Sequence, residues 1–493
     1  MPDGALPHAL MAQAARAHAE RIALRFGERA WTFAEFDAAV NRLAAGLAQR
    51  FEKGARIALF MANCPEYLLL QCAIERAGLV RVPVNSRATA YELAEIVADC
   101  EPAALFYDRA TSERARSAGI WSLRIDELSS VERDGTPPER AALDDLCSIN
   151  YTSGTSGRPK GAMLSHRNWA ALYRNMLIDR DIRGDDVLAH IGPLTHSSGT
   201  YFVPWFLRGA TSVVVEGASV DNLLAAIERH RVTVFTCVPT VLTRIVNHPG
   251  LDRFDLSSLR WIGYGAEPIP RNTLDKALAR FGPILSQNYG QTEAMMTCTT
   301  LPAAEHFVRG TSEPRVGCIG RPYTFVEIVL RSPDGKPVPA GEIGELTIRS
   351  DHVMLGYWRR PEETAKALRE GWLWTGDLGR MDERGFITLA GRSKEMLISG
   401  GHNIYPAEVE AALTACPGIL EAAVVAQADP DWGEIAVAFV SLAADTRIAA
   451  DEIRAAVRPR LGIKTPKRIE IVAALPKTGN GKVDKKVLRE RLA

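Results

Sequence analysis

The chain has no surplus charge of either sign: its 59 Lys and Arg residues are matched by 59 Asp and Glu. Nucleic acids and anionic membrane surfaces are bound through a basic face, so this balance excludes both as principal partners. The eight cysteines, at positions 64, 72, 100, 147, 237, 298, 318 and 416, are scattered, with no Cys-x-x-Cys pair and no clustered histidines. That spacing excludes a zinc site and a disulfide framework. It fits a reducing compartment, and a cytoplasmic location is expected. No apolar run approaches the ~20 residues that cross a bilayer. The first residues carry Asp3 and further charges through their apolar stretch, unlike a secretory leader. Internal repeats and low-complexity segments are lacking too. From Lys464 onward nine Lys and Arg face three Asp and Glu, which reads as a solvated helix face.

What is present is a long alternation of short β-branched runs with helical patterns. "RIALFMA" precedes "PEYLLLQCAIERAG", "RVPVN" precedes "ATAYELAEIVADC", and "TSVVVEG", "VDNLLAAIERH" and "VTVFTCVP" follow later. Apolar strands spaced by helices imply parallel sheets buried on both faces. The pattern falls into two blocks, before and after about residue 150. From about residue 315, "VEIVLRSPDGKPVPAGEIGELTIRS" is strand, Asp-Gly turn, loop and strand, a small antiparallel β unit. After Arg392 a strand, a Gly-Gly loop and a helix with Pro406 in its first turn indicate a compact α+β domain. The expected fold is α/β. Residues 1–391 form a large N-terminal part with two doubly wound sheets and the β unit, and residues 392–493 form a separate mobile domain.

"YTSGTSGRPKG" concentrates Thr152, Ser153, Gly154, Thr155, Ser156, Gly157, Lys160 and Gly161 after the strand "CSINY". Hydroxyls, backbone amides and one lysine can converge on a phosphate chain, although the spacing is not that of the common P-loop. An ordinary strand-to-helix connection is the competing reading of this stretch alone.

With "GYGAEPIP", "NYGQTE", "GELTIRS", "GWLWTGDLG", "GRSKEMLISGGHNIYPAEVE" and "PKTGNGKVDKK" in order after it, the chain resembles the adenylate-forming superfamily from about Arg21 to its end. The resemblance implies a carboxylic acid:CoA ligase that forms AMP and uses ATP, Mg2+ and coenzyme A on a small-molecule acid. It implies that the loop Thr152–Lys160 holds the β- and γ-phosphates. Thr292 would touch the α-phosphate and Glu293 would hold magnesium, with Thr155 as a second ligand. Gly265, Ala266 and Glu267 would wall the adenine, with Asn288, Tyr289 and Gly290 along it. Asp377 would accept the ribose hydroxyls, supported by Arg392. Lys482 would be the catalytic lysine, while Lys485 and Lys486 receive no role. Lys394 would be the pivot of the mobile domain, and Gly401 would let the loop "SGGHNIYP" line a thiol tunnel. Where relatives often carry Glu, this chain has His402, so no side-chain role carries over there.

His196, in "LTHSSGTYFVPWF", matches a position that gates or lines the acyl site, and it equally suits a core histidine. This stretch has no acid to hold an α-ammonium, and no Arg-Ser-His-Arg-type cluster suits a dicarboxylate. A monocarboxylic acid with an uncharged tail is expected, short- to medium-chain aliphatic or aromatic. The alternatives are an adenylating enzyme that loads a carrier protein or other acceptor, a nucleotide-binding regulator, and a P-loop NTPase. The enzyme is expected as a monomer or a homodimer.

Overall fold

Thr32 and Glu35 start the 18-residue helix Phe33–Arg50 reciprocally. Thr32 Oγ1 accepts from the Glu35 amide at 3.1 Å, and Glu35 Oε2 from the Thr32 amide at 2.8 Å. Thr89 and Glu92 do the same for Ala90–Cys100, while proline opens Pro65–Arg76, Pro239–Val246 and Pro406–Thr414. Both devices deal with the amides that a helix start leaves unpaired. The computed structural model describes residues 6–152, 159–399, 402–443, 446–478 and 483–492.

Val80–Val84 is buried throughout, as a parallel strand between helix layers must be. It lies in a sheet of seven strands ordered Gly356–Tyr357, Lys160–Ser165, Leu146–Thr152, Val80–Val84, Arg56–Phe60, Ala104–Tyr107 and Ser122–Arg124. A second sheet of 14 strands has a parallel centre formed by Thr211–Val214, Val187–His190, Val234–Cys237, Trp261–Gly265 and Leu285–Gln291.

This topology corrects one expectation, extends a second and excludes the competing reading of the loop. The chain does not divide between the sheets near residue 150. The hairpin Ile22–Phe26/Arg29–Thr32 joins the edge of the second sheet through Leu24↔Ser212, and Lys160–Ser165 completes the first. The β unit after residue 315 is antiparallel, yet it continues the second sheet through Thr299↔Pro322 and Cys318↔Thr388. Finally, the Gly- and Ser-rich loop connects two antiparallel strands, with Thr152 and Lys160 as register partners, instead of a strand and a helix.

The C-terminal part has its own core. Its sheet of five strands alternates side chains between two faces: Val424, Ala436, Ala438 and Val440 pack with Val409, Leu413 and Val457, whereas Val425, Val437 and Phe439 pack with Leu475 and Leu488. Lys485 is unlike a solvated lysine. Only 19% of its side chain is exposed, and Nζ lies 2.9 Å from both Glu395 Oε2 and Glu410 Oε1. Burial opposes its charge, but the Glu410 and Glu395 carboxylates hold the ammonium above its usual range. Lys477 pairs with Glu421. No helix among the described residues is long and apolar enough to cross a membrane.

Four histidines are buried neutral: His166, His190, His306 and His352, each lowered to about 4, chiefly by burial. The unfolded chain binds protons at these positions below its ordinary histidine range of about 6.5, and the folded chain does not until about 4. Their contribution to stability is therefore full above the unfolded value and is lost as pH falls through that window. His8, half-buried, is lowered to about 4 as well, so the denaturant midpoint is expected to drop clearly between pH 7.5 and 5, with uptake of about four to five protons on unfolding at pH 5. An unchanged midpoint would remove the buried histidines as the cause.

Candidate nucleotide and acyl site

The hairpin that carries the phosphate-type loop is braced from behind. Tyr151 donates its hydroxyl to Asp99 Oδ2 at 2.7 Å, and Asp99 Oδ1 accepts from Arg360 at 2.6 Å. Gly161 is required by packing, because a Cβ there would meet Ile149 Cγ2 at 2.5 Å. Thr152 and Lys160 stand half-buried at the two ends of the loop. Ser153, Gly154, Thr155, Ser156 and Gly157 lie outside the described residues, as do Gly401 and Lys482.

The strand Leu285–Gln291 and the turn after it carry Asn288, Tyr289, Gly290, Thr292 and Glu293. Gly290 again has a packing reason: its Cβ would meet the Met296 amide nitrogen at 2.3 Å, and Met296 itself has φ +60°. Segment 353–358 then ties this turn to the loop hairpin. Met354 N donates to Glu293 O at 2.8 Å, Leu355 N to Met163 O at 2.8 Å, and Trp358 N to Gly161 O at 2.7 Å. Tyr357 lies between the two charged groups. Its hydroxyl donates to Glu293 Oε1 at 2.6 Å, and its ring centroid lies 5.3 Å from Lys160 Nζ. Burial and the Glu293 carboxylate push the Tyr357 phenol well up, so it stays a donor.

A second constellation forms where strands Trp372–Met381 and Ile387–Arg392 pair, with Asp377 opposite Arg392. Gly376, at φ +74°, supplies the left-handed residue before the acid. Asp377 Oδ1 accepts from Arg392 Nε at 3.0 Å, and Oδ2 from the Tyr289 hydroxyl at 2.6 Å. The neighbouring Asp377 charge raises the Arg392 guanidinium further. A carboxylate has about four acceptor positions, so two remain for ribose hydroxyls. Tyr289 itself is only 8% exposed. Its hydroxyl positions Asp377, and its ring lies largely within the protein. Lys394 is exposed in the turn that follows, where Glu395 N and Met396 N both donate to Arg392 O at 3.0 Å.

Gly265 and Ala266 end the strand Trp261–Gly265. A Cβ on Gly265 would meet Asn288 O at 2.1 Å, and Ala266 is held at φ +71°, a strained conformation for a residue with a side chain. Glu267 is held through its carboxylate. Its Oε1 accepts from the Thr240 amide at 2.8 Å and the Thr240 hydroxyl at 2.7 Å, so the carboxylate serves the start of helix Pro239–Val246. His196 is half-buried ahead of the helical turn Ser197–Thr200, with Nδ1 2.9 Å from Thr195 Oγ1. The sealed core histidine of this region is His190, on the strand before it. Helix Phe202–Leu207 follows, and Tyr201, Trp205 and Trp261 pack with ring centroids 5.7 to 6.3 Å apart.

The donors suit a magnesium nucleotide. One carboxylate and one ammonium lie at the loop, and among the described residues no group of three or more His, Cys, Asp or Glu could hold a metal by itself. Magnesium bound through substrate phosphates and waters needs one or two carboxylates. Tyr357 and Lys485 are the residues that sequence reading missed. The signal for the first was an aromatic in "LGYW" beside a glycine with φ +141°, and for the second nothing local distinguished it from Lys486.

The AMP-binding enzyme family model matches residues 11–358, and the model of its C-terminal domain matches 408–482. A feruloyl-CoA synthase of Amycolatopsis sp is 39% identical over 484 residues, covering 97% of each chain. The amide bond synthetase McbA from Marinactinospora thermotolerans superposes with a TM-score of 0.90 at 32% identity, covering 98% of this chain and 99% of that one. ATP-bound MatB from Rhodopseudomonas palustris gives 0.89 at 31% identity, covering 99% and 98%. Two family models that together span most of the chain, and relatives matched over nearly their full length, show the family: this chain is an enzyme of the AMP-binding family, within the adenylate-forming superfamily.

Proposed function

We propose that the protein is an acid–thiol ligase that activates an aryl carboxylic acid with ATP and transfers the acyl group to coenzyme A. The observation that carries the reading is the Lys160–Tyr357–Glu293 assembly, which fixes a cation and a carboxylate beside the loop hairpin without letting them pair. The 39% identity to a feruloyl-CoA synthase supports an aromatic acid. Trp261, the partly exposed member of the Tyr201–Trp205–Trp261 cluster, would supply an aromatic wall in front of the sealed Tyr201 and Trp205. A Cβ at Gly263 would meet the Trp261 ring at 2.5 Å, so this ring fills the space behind the glycine. A flat ring suits such a wall better than a long alkyl chain.

In the first half-reaction a substrate carboxylate oxygen attacks the α-phosphorus, the bond to the bridging oxygen breaks, and pyrophosphate leaves. Lys160 would take the charge of the outgoing phosphates, and Thr292 would donate to the α-phosphate. Asp377, fixed by Tyr289 and Arg392, would hold the ribose. Glu293 would hold magnesium, which neutralises phosphate charge when bound. Lys482 would bind the carboxylate and bridging oxygens. In the second half-reaction the thiol sulfur attacks the acyl carbon, the bond to AMP breaks, and the thiol proton leaves to solvent. Lys482 must withdraw between the two steps. The division at residues 391 and 392, with Lys394 as pivot, would let the C-terminal domain do this as a unit. The likeness to McbA favours one second reading, an amine in place of the thiol as acceptor.

Pyrophosphate release with magnesium and ATP, across benzoates, cinnamates and straight-chain acids with and without coenzyme A, tests the reading. Thiol-dependent turnover of the aryl acids is the expected result. Turnover that ignores coenzyme A and rises with an added amine would move the assignment to the second reading. Tyr357→Phe removes one hydrogen bond to a charged group, so kcat/KM for magnesium-ATP should fall about tenfold with little change in Tm. A variant that keeps wild-type kinetics would sink the role of Tyr357. Lys482→Ala should nearly abolish acyl-adenylate formation yet spare thioester formation from supplied acyl-adenylate; equal loss of both would refute the assignment.

A further inference from the structure

Both sheets bring carboxyl ends of parallel strands to the candidate site. Leu146–Thr152 of the first sheet runs into the phosphate-type loop, and Leu285–Gln291 of the second runs into Thr292 and Glu293. Ligands of open α/β sheets bind outside such ends. Two further loops leave the same ends. Residues 61–64 follow Arg56–Phe60, and residues 191–196 follow Val187–His190. One side chain joins these loops across the sheets. Asn63 Nδ2 donates to Gly192 O at 2.8 Å, and Asn63 Oδ1 accepts from Leu194 N at 2.9 Å. A flipped amide would set N–H against N–H and oxygen against oxygen, so the two bonds fix one orientation. They bracket Pro193, which has no N–H of its own to offer.

The clamp is held on both sides. Behind Asn63, Ala62 N donates to Asp108 Oδ2 at 2.8 Å, Thr111 N donates to Asp108 Oδ1 at 2.9 Å, and Thr111 Oγ1 donates to Phe60 O at 2.7 Å. Beyond Leu194, His196 N donates to Pro193 O at 3.0 Å and closes a turn. A Cβ on Gly199 would meet Leu194 O at 2.1 Å, so the helical turn Ser197–Thr200 packs directly on the clamped residue. His190, buried on the strand before, lies with Nδ1 3.0 Å from Ser198 O. We propose that Asn63 is a positioning residue for the acid: from the first sheet it sets the turn 192–196, and with it His196, the candidate residue of the acid side. Asn63 itself does not touch the substrate. The inference rests on the acid–thiol ligase reading above, though not on the aryl tail, and adds that the acid side is assembled from both sheets. Without the clamp, the amide of Leu194, a residue only 2% exposed, loses its partner, and the turn must move to recover one.

The test is a double-mutant cycle on the full-length enzyme. It reads KM for the best acid of the pyrophosphate panel at saturating magnesium-ATP, beside the Kd of magnesium-ATP by titration calorimetry. Asn63→Ala is expected to raise the acid KM about tenfold and to leave the nucleotide Kd within about twofold. His196→Ala should raise the acid KM as well. In that background Asn63→Ala should add less than about twofold, because one residue acts through the other. Neither constant depends on how much of a preparation is folded, so a fragile variant still reports. An unchanged acid KM in either single variant overturns the inference, and so do effects that multiply in the double variant. A parallel tenfold loss of nucleotide affinity in Asn63→Ala, on the order of the acid effect, makes Asn63 a general brace between the sheets and also overturns it. Absence of pyrophosphate release by the wild type with every acid overturns the ligase reading, and this inference with it.

Discussion

Two sheets meet at the candidate site, and segment 353–358 holds them in register. Glu293 follows a strand of the second sheet, while Lys160 opens a strand of the first. Backbone bonds from Met354 to Glu293 and from Leu355 and Trp358 to the Lys160 strand set the spacing between them. Without that strap, a lysine and a glutamate near one another would close into an ion pair, and the site would spend its charges on itself. Tyr357 engages each in a different way, through its hydroxyl and its ring face, so the two charged groups are held apart instead of paired. The braces farther back, from Asp99 to Tyr151 and Arg360, keep the hairpin from shifting against the strap.

Much of this was legible in the sequence where chemistry is local. Gly-Ser-Thr clustering located the phosphate-type loop, Asp377 stood out in "WTGDLG", and Pro406 marked a helix start. Alternating strands and helices gave the α/β class. What escaped was long-range. Nothing near Glu267 shows that its carboxylate reaches back to Thr240, and nothing near Tyr289 shows that its hydroxyl meets Asp377. The first hairpin crosses to the second sheet because its apolar edge pairs with Ser212 and Val213, a choice made by tertiary packing. Lys485 and Lys486 are adjacent and identical in type, yet one is buried between two glutamates and the other is solvated.

Two of the six described non-glycine residues with positive φ lie at the candidate site. Ala266 and Met296 both adopt positive φ, and both neighbour glycines, Gly265 and Gly290, whose missing side chains permit a close approach of chains. Ordinary residues keep such conformations only where the surroundings enforce them. Here the enforcement comes from the strand Leu285–Gln291, which carries Asn288 toward one face and Tyr289 toward the other.

The ion pairs Lys477–Glu421 and Lys485–Glu395–Glu410 stand on either side of residues 478–484. They anchor both ends of that short stretch to the body of the C-terminal domain, and the second also anchors it to the turn after Arg392. Glu395 belongs to the turn after Arg392 and Glu410 to the helix Pro406–Thr414, so one ammonium ties the start of the C-terminal domain to its core.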